Sequence, residues 1–186
     1  MRLERKRSWK WLPLLMLAGL MLMAAGCGGP KEDVKISVLP QSGIPSEATD
    51  KLQEVLAAKL GEKPTMGVYG SPLFRPEKMM VELAAGENSI VITDEELFKG
   101  YTSQGGFVRL DDAFDASKFP EGVTTAEEGT TDEPKKVTAL YGIPMDKAGW
   151  FQAAGLNGKG LFAFIPGNSP DVEQSIRVLK TIVEMK

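Results

Sequence analysis

The chain has 186 residues, with 22 basic and 25 acidic side chains, a net charge of −3, one cysteine and no histidine. Without histidine there is no imidazole base to activate a serine or cysteine, and one cysteine cannot form a thiolate cluster or an internal disulfide. An acidic chain is also ill suited to the phosphate contacts that dominate nucleic-acid binding.

The N-terminus carries Arg2, Arg5, Lys6, Arg7 and Lys10 against the single acid Glu4, followed by an apolar run from Trp11 to Met23. Basic residues, an apolar core and then small residues make an export signal. The run ends at Ala24-Ala25-Gly26-Cys27, which resembles the lipobox of a bacterial lipoprotein. The resemblance implies acylation of Cys27, a lipid bilayer as partner, and a place on the extracytoplasmic face of the cell membrane. A transmembrane anchor is the other reading, but Pro13, the glycines near the end and the position of the only cysteine speak against it. The chain therefore divides into a signal peptide (1–26), a lipidated tether (27–34) and a single α/β domain (35–186). Removing the five bases and one acid of the signal leaves 17 bases and 24 acids, a net charge of −7. Neither nucleic acid nor a polybasic grip on anionic lipid is expected of such a surface.

The first strand is expected at Lys35–Leu39, stopped by Pro40. Ser46 is placed to cap a helix whose Leu52, Val55, Leu56 and Leu60 share a face before Gly61 ends it. Thr65–Tyr69 reads as the second strand, and Pro76 opens a helix that stops at Gly86. Ser89-Ile90-Val91-Ile92-Thr93 has no polar alternation, which suits a strand buried on both faces of a parallel sheet. Thr93 and Glu96 form a T-x-x-E pattern, so Thr93 is expected to cap the next helix, with Asp94 and Glu95 in its first turn. An edge strand follows, ending at Leu110-Asp111-Asp112.

Beyond Asp112 the signals weaken. Asp111 and Asp115 sit at the first and fifth positions of a calcium loop, but Ala113, Ala116 and Gly122 replace the third ligand, the glycine and the bidentate glutamate. Residues 124–136, with no apolar side chain beyond Ala126, read as an exposed, mobile insertion that contributes nothing to the core. Val137–Met145 restores β character, Leu161–Ile165 is a further strand, and Ser169 and Pro170 begin a last helix with Val172, Ile176, Leu179, Ile182 and Val183 as its stripe. Gly155-Leu156-Asn157-Gly158-Lys159-Gly160 fails as a phosphate loop, since Ala153 replaces its first glycine and Gly160 its magnesium-binding hydroxyl. No metal, no cofactor and no enzymatic activity are expected. The fold class is α/β, three layers in αβα order with a mostly parallel five-stranded sheet.

Two stretches carry a family resemblance. The Leu-Ala-Ala-Gly helix end (83–86), the Ile-Val-Ile strand and Gly106-Phe107-Val108-Arg109-Leu110-Asp111-Asp112 follow one another as in the first lobe of bacterial extracellular solute-binding proteins that feed ABC transporters. Tyr141-Gly142-Ile143-Pro144 is similar to a strand of the same lobe, and the second lobe is missing. The resemblance implies a periplasmic-binding-protein-like single lobe, a small polar solute and an ABC permease as partners. Open α/β sheets place ligands at the carboxyl ends of their strands. The candidates there are Gln41 and Ser42, Tyr69 and Ser71, Asp94, and Met145 and Asp146, each also readable as a cap or turn former. Trp150, with Phe151, is a candidate to line a cleft, or a core or dimer-contact residue. Because one lobe offers half a site, two functions follow. One is a minimal solute-binding lipoprotein acting alone or as a homodimer. The other is a non-transport surface lipoprotein that uses the lobe as a scaffold for another surface protein.

Overall fold

Five strands of the computed structural model, which describes residues 32–130 and 133–185, form one sheet. The expected signal peptide, Cys27 and most of the expected tether lie outside the described residues. Strand β1 (Val34–Val38) is followed by α1 (Ser46–Leu60), β2 (Met66–Gly70), α2 (Pro76–Ala84), β3 (Ile90–Asp94) and α3 (Glu95–Thr102). Then come β4 (Val123–Thr130), β5 (Glu133–Leu140), β6 (Ile143–Pro144), α4 (Gly149–Ala153), β7 (Leu161–Phe164) and α5 (Val172–Glu184). The order across the sheet is β2-β1-β3-β7-β6. β1 runs parallel to β2 and β3, whereas β7 lies antiparallel to both β3 and β6. Four strands thus point one way, and β7 is the reversed member of a mostly parallel sheet.

Strand alternation divides the core between the two faces. Val34, Ile36 and Val38 of β1 turn with Ile90 and Ile92 toward Leu52 and Leu56 of α1, Trp150 of α4, and Val178, Leu179 and Ile182 of α5. Val91, Phe162 and Phe164 turn the other way, against Met79 of α2 and Phe98 of α3. There Phe98 stacks on Phe162 with centroids 5.1 Å apart and meets Phe164 at 5.9 Å. The sheet is covered on both faces, which is why β3 is wholly apolar from Ile90 to Ile92.

Residues 124–136 are a correction. β4 and β5 pair antiparallel as a ribbon in which Glu127 faces Lys136 and Glu128 faces Lys135, while Ala126 is buried opposite Val137. The charges that read as a solvated insertion stand opposite one another in the register of the ribbon, and Glu128 bonds Tyr141 and Arg109. Ala126 and Ala139 join the cluster around Phe98, so the segment covers core.

The capping role of Thr93 is a second correction. β3 continues through Asp94, which pairs with Leu161, and the buried Thr93 hydroxyl donates to the Leu39 carbonyl at 2.8 Å. Asp94 holds the N-cap position of α3 without a side-chain cap bond, and the Glu95 N–H donates to the Gly160 carbonyl at 3.0 Å. Ser46 is likewise already helical and caps nothing; its carbonyl takes the Thr49 hydroxyl at 2.8 Å. The expected edge strand is not a strand, because its backbone changes partner: Val108 N–H donates to Ile165 and Leu110 N–H to Leu140. α5 begins at Val172, later than expected, because the Asp171 carboxylate takes the Gln174 N–H at 2.9 Å and is the better cap.

Tyr141 ties the ribbon to the core. It is fully buried, and its hydroxyl donates to Glu128 at 2.6 Å, where Arg109 also binds at 2.9 Å. Burial, then the Glu128 carboxylate, push the phenol well above its ordinary value. A folded-state pKa raised in this way contributes stability below the unfolded phenol's pKa of ~10, and that contribution is lost as pH rises above it. Tyr141→Phe is therefore expected to cost ~1 kcal/mol at neutral pH. The gap from wild type should narrow in urea unfolding above pH ~10.

Candidate functional site

The predicted residues do not converge on one site. Gln41 and Asp94 do meet: the Gln41 N–H donates to the Asp94 carboxylate at 2.5 Å. With Glu95, Glu96, Lys99 and Gly160 they wall an open hollow of about 570 Å³ at the carboxyl ends of β1 and β3. Lys99 pairs with Glu95 on α3 at 2.5 Å. The charges of the corner are thus partly engaged by the protein itself. Asp94→Ala is expected to cost ~1 kcal/mol, the usual net worth of one hydrogen bond, as read by a thermal melt.

The other candidates lie elsewhere. Ser42 is exposed and its hydroxyl donates to Gly43 at 3.3 Å. Ser71 donates to the Leu73 carbonyl at 2.9 Å, a local turn. Tyr69 lies within β2 rather than beyond it; its hydroxyl donates to Glu32 at 2.6 Å, which raises the phenol and lowers the carboxyl. Asp146 is exposed at the end of β6, beside a hollow of about 400 Å³ that Phe151, Gln152 and Asn157 also wall. Met145 is 1% exposed, a core residue beneath that hollow. Trp150 is fully buried, and its indole N–H donates to the Leu52 carbonyl at 2.8 Å. A ring so enclosed lines no cleft, so Trp150 is a core residue.

The larger apolar hollow is at the opposite end of the sheet. It measures about 630 Å³ and lies between the last turns of α2 and α3 and the segment after β7. Met80, Leu83 and Ala84 form one wall, Tyr101 and Phe107 the other, and Gly105, Gly106 and Pro166–Asn168 the floor and rim. Since β7 runs against β3, with Phe164 beside Val91, Pro166 lies at the amino ends of the parallel strands.

The composition of α2 explains the groove. Met79, Met80, Val81, Leu83 and Ala84 are apolar around more than one face of a nine-residue helix; Met79 is its one buried residue, and Leu83 packs half-buried against the same core. Met80 remains 59% and Val81 67% exposed. Polar bonds also hold the helix in place. Lys35 bonds Glu82 at 3.0 Å, Asn88 Nδ2 donates to the Glu82 carbonyl at 2.8 Å, and Asn168 Nδ2 donates to the Leu83 carbonyl at 2.9 Å. Burial works to raise the Glu82 carboxyl, but the Lys35 and Asn88 bonds outweigh it and leave it below its ordinary value. This surplus of apolar residues in Met-Met-Val-Glu-Leu-Ala-Ala is the signal in the sequence that marks the groove.

Among the described residues no group of His, Cys, Asp and Glu could hold a metal ion, and no helix is long and apolar enough to cross a membrane. Comparison with protein-family models, curated proteins and solved structures returns no match for this chain. The resemblance to solute-binding lobes therefore rests on the quoted residues alone.

Proposed function

We propose that the chain is an extracytoplasmic lipoprotein, anchored through acylated Cys27, whose α/β lobe works by surface contact through the groove between α2 and α3. The observation that supports this reading is the groove itself, an apolar hollow of about 630 Å³ with Met80 left 59% exposed on its wall. Apolar surface left open in this way costs solvation and is typical of surfaces that meet another apolar body. The resemblance to a solute-binding lobe supports the α/β scaffold and an export role. A second reading, in which a small polar solute binds at the strand ends as in an ABC transporter's receptor, is favoured by the polar Gln41–Asp94 corner.

Cys27→Ser is expected to leave an unprocessed precursor or release the protein from the membrane fraction, since the signal and its cysteine form the only anchor read from the sequence. Native mass spectrometry of residues 28–186 purified from the source organism separates the two readings. The contact reading expects no stoichiometric polar solute. A retained solute that is lost in Asp94→Ala would overturn it in favour of the receptor reading.

A further inference from the structure

We propose that the groove is a lipid-facing surface, and that the anchored lobe rests with this end on the bilayer so that lipid acyl chains cover it. This rests on the anchor reading above, and three observations carry it further. The first is where the described chain begins. Glu32 bonds Tyr69 at 2.6 Å, and the Asp33 carboxylate takes the Thr65 N–H at 2.9 Å, which fixes the entry of the chain at the amino end of β1. The groove lies at that same end, as Pro166 and the last turn of α2 show.

The second is reach. Cys27 is five residues before Glu32, so the tether spans at most about 17 Å. Lys35 of β1 bonds Glu82, whose neighbour Leu83 lines the groove. The groove and the chain entry thus lie at the same end of the sheet, linked through Lys35 and α2. The Gln41–Asp94 corner is at the other end of strands about 16 Å long, away from the chain entry at Glu32 and Asp33.

The third is charge. The exported chain carries a net charge of −7, yet none of the residues lining the groove is charged. An acyl chain lying among these residues therefore dehydrates no ion of the lining. The anionic character of the rest of the chain fits a surface held by the tether and by apolar contact rather than by headgroup charge.

The test uses the full-length, processed protein in phosphatidylcholine vesicles containing chain-brominated lipid. Because Cys27 is the only cysteine, Ala84→Cys and Lys159→Cys each give one free thiol for a fluorophore, at the groove and at the far end. The groove label is expected to be quenched at least threefold more than the far label. Adding phosphatidylglycerol should not increase the difference. Placing charge in the wall with Leu83→Glu should abolish that difference while flotation of the vesicles still carries the protein.

Equal quenching at both labels on floated, acylated protein would overturn the lipid-facing groove and leave the anchor reading intact. Intact mass without the acyl group would overturn both. Disulfide-linked dimers of Ala84→Cys without quenching would assign the groove to a second copy and overturn its assignment to lipid.

Discussion

Trp150→Ala is expected to be among the most destabilising single substitutions in the chain, at about 3–5 kcal/mol. The ring is fully buried, stands edge-on to Phe151 at 5.6 Å and donates its N–H to Leu52, 98 residues away. Truncation leaves a cavity between α1, α4 and the sheet and removes the bond that ties α4 to α1. Trp150→Phe refills part of the volume and should cost clearly less. Urea unfolding of residues 28–186 followed by circular dichroism reads both. A near-wild-type midpoint for Trp150→Ala would mean that the ring lines an open cleft after all.

The second large effect is expected at Gly105. Its φ is +81°, and a Cβ there would lie 2.0 Å from the Glu127 carbonyl of β4. Gly106 has the same φ, but a Cβ there would meet nothing within 4 Å. Gly106→Ala therefore carries only the left-handed backbone cost of about 1–2 kcal/mol. Gly105→Ala adds an overpacking cost of about 1–3 kcal/mol. The difference between the two melts isolates the contact of the ribbon with the end of α3. Equal losses would mean that the ribbon swings free of the body, as its composition alone predicts.

Much of the framework was legible in the sequence because local and tertiary signals agree there. Pro76 opens α2, Gly61 and Gly86 follow helices in positive φ, and the β-branched Ile90-Val91-Ile92 run is buried from both sides. The ribbon was not legible because its stabilising pattern is a relation between strands. Glu127 and Glu128 are unremarkable surface acids until the register sets them against Lys136 and Lys135. Thr93 misled for a similar reason: a T-x-x-E pattern describes a helix start, but the pairing of β3 with β7 keeps Thr93 in the strand and gives its hydroxyl to Leu39. Trp150 could not be placed from its neighbours in sequence, since its hydrogen-bond partner lies on α1. The groove was half legible. Met80, Leu83 and Ala84 fall within the helix expected between Pro76 and Gly86, but Tyr101, Phe107 and Pro166 reach it only through the sheet topology.

Hydrogen exchange tests most directly whether the lobe's working surface is the groove at the amino end of the sheet or the corner at its carboxyl end, by comparing acylated protein on phosphatidylcholine vesicles with soluble residues 28–186. Slowed exchange is predicted at Leu83–Ala84, Gly105–Phe107 and Gly167–Asn168, where the backbone borders the groove, with Gln41–Gly43 and Asp94–Glu96 unchanged. Protection confined to the Gln41–Asp94 corner, with the groove exchanging as in the soluble protein, would contradict the groove as the working surface.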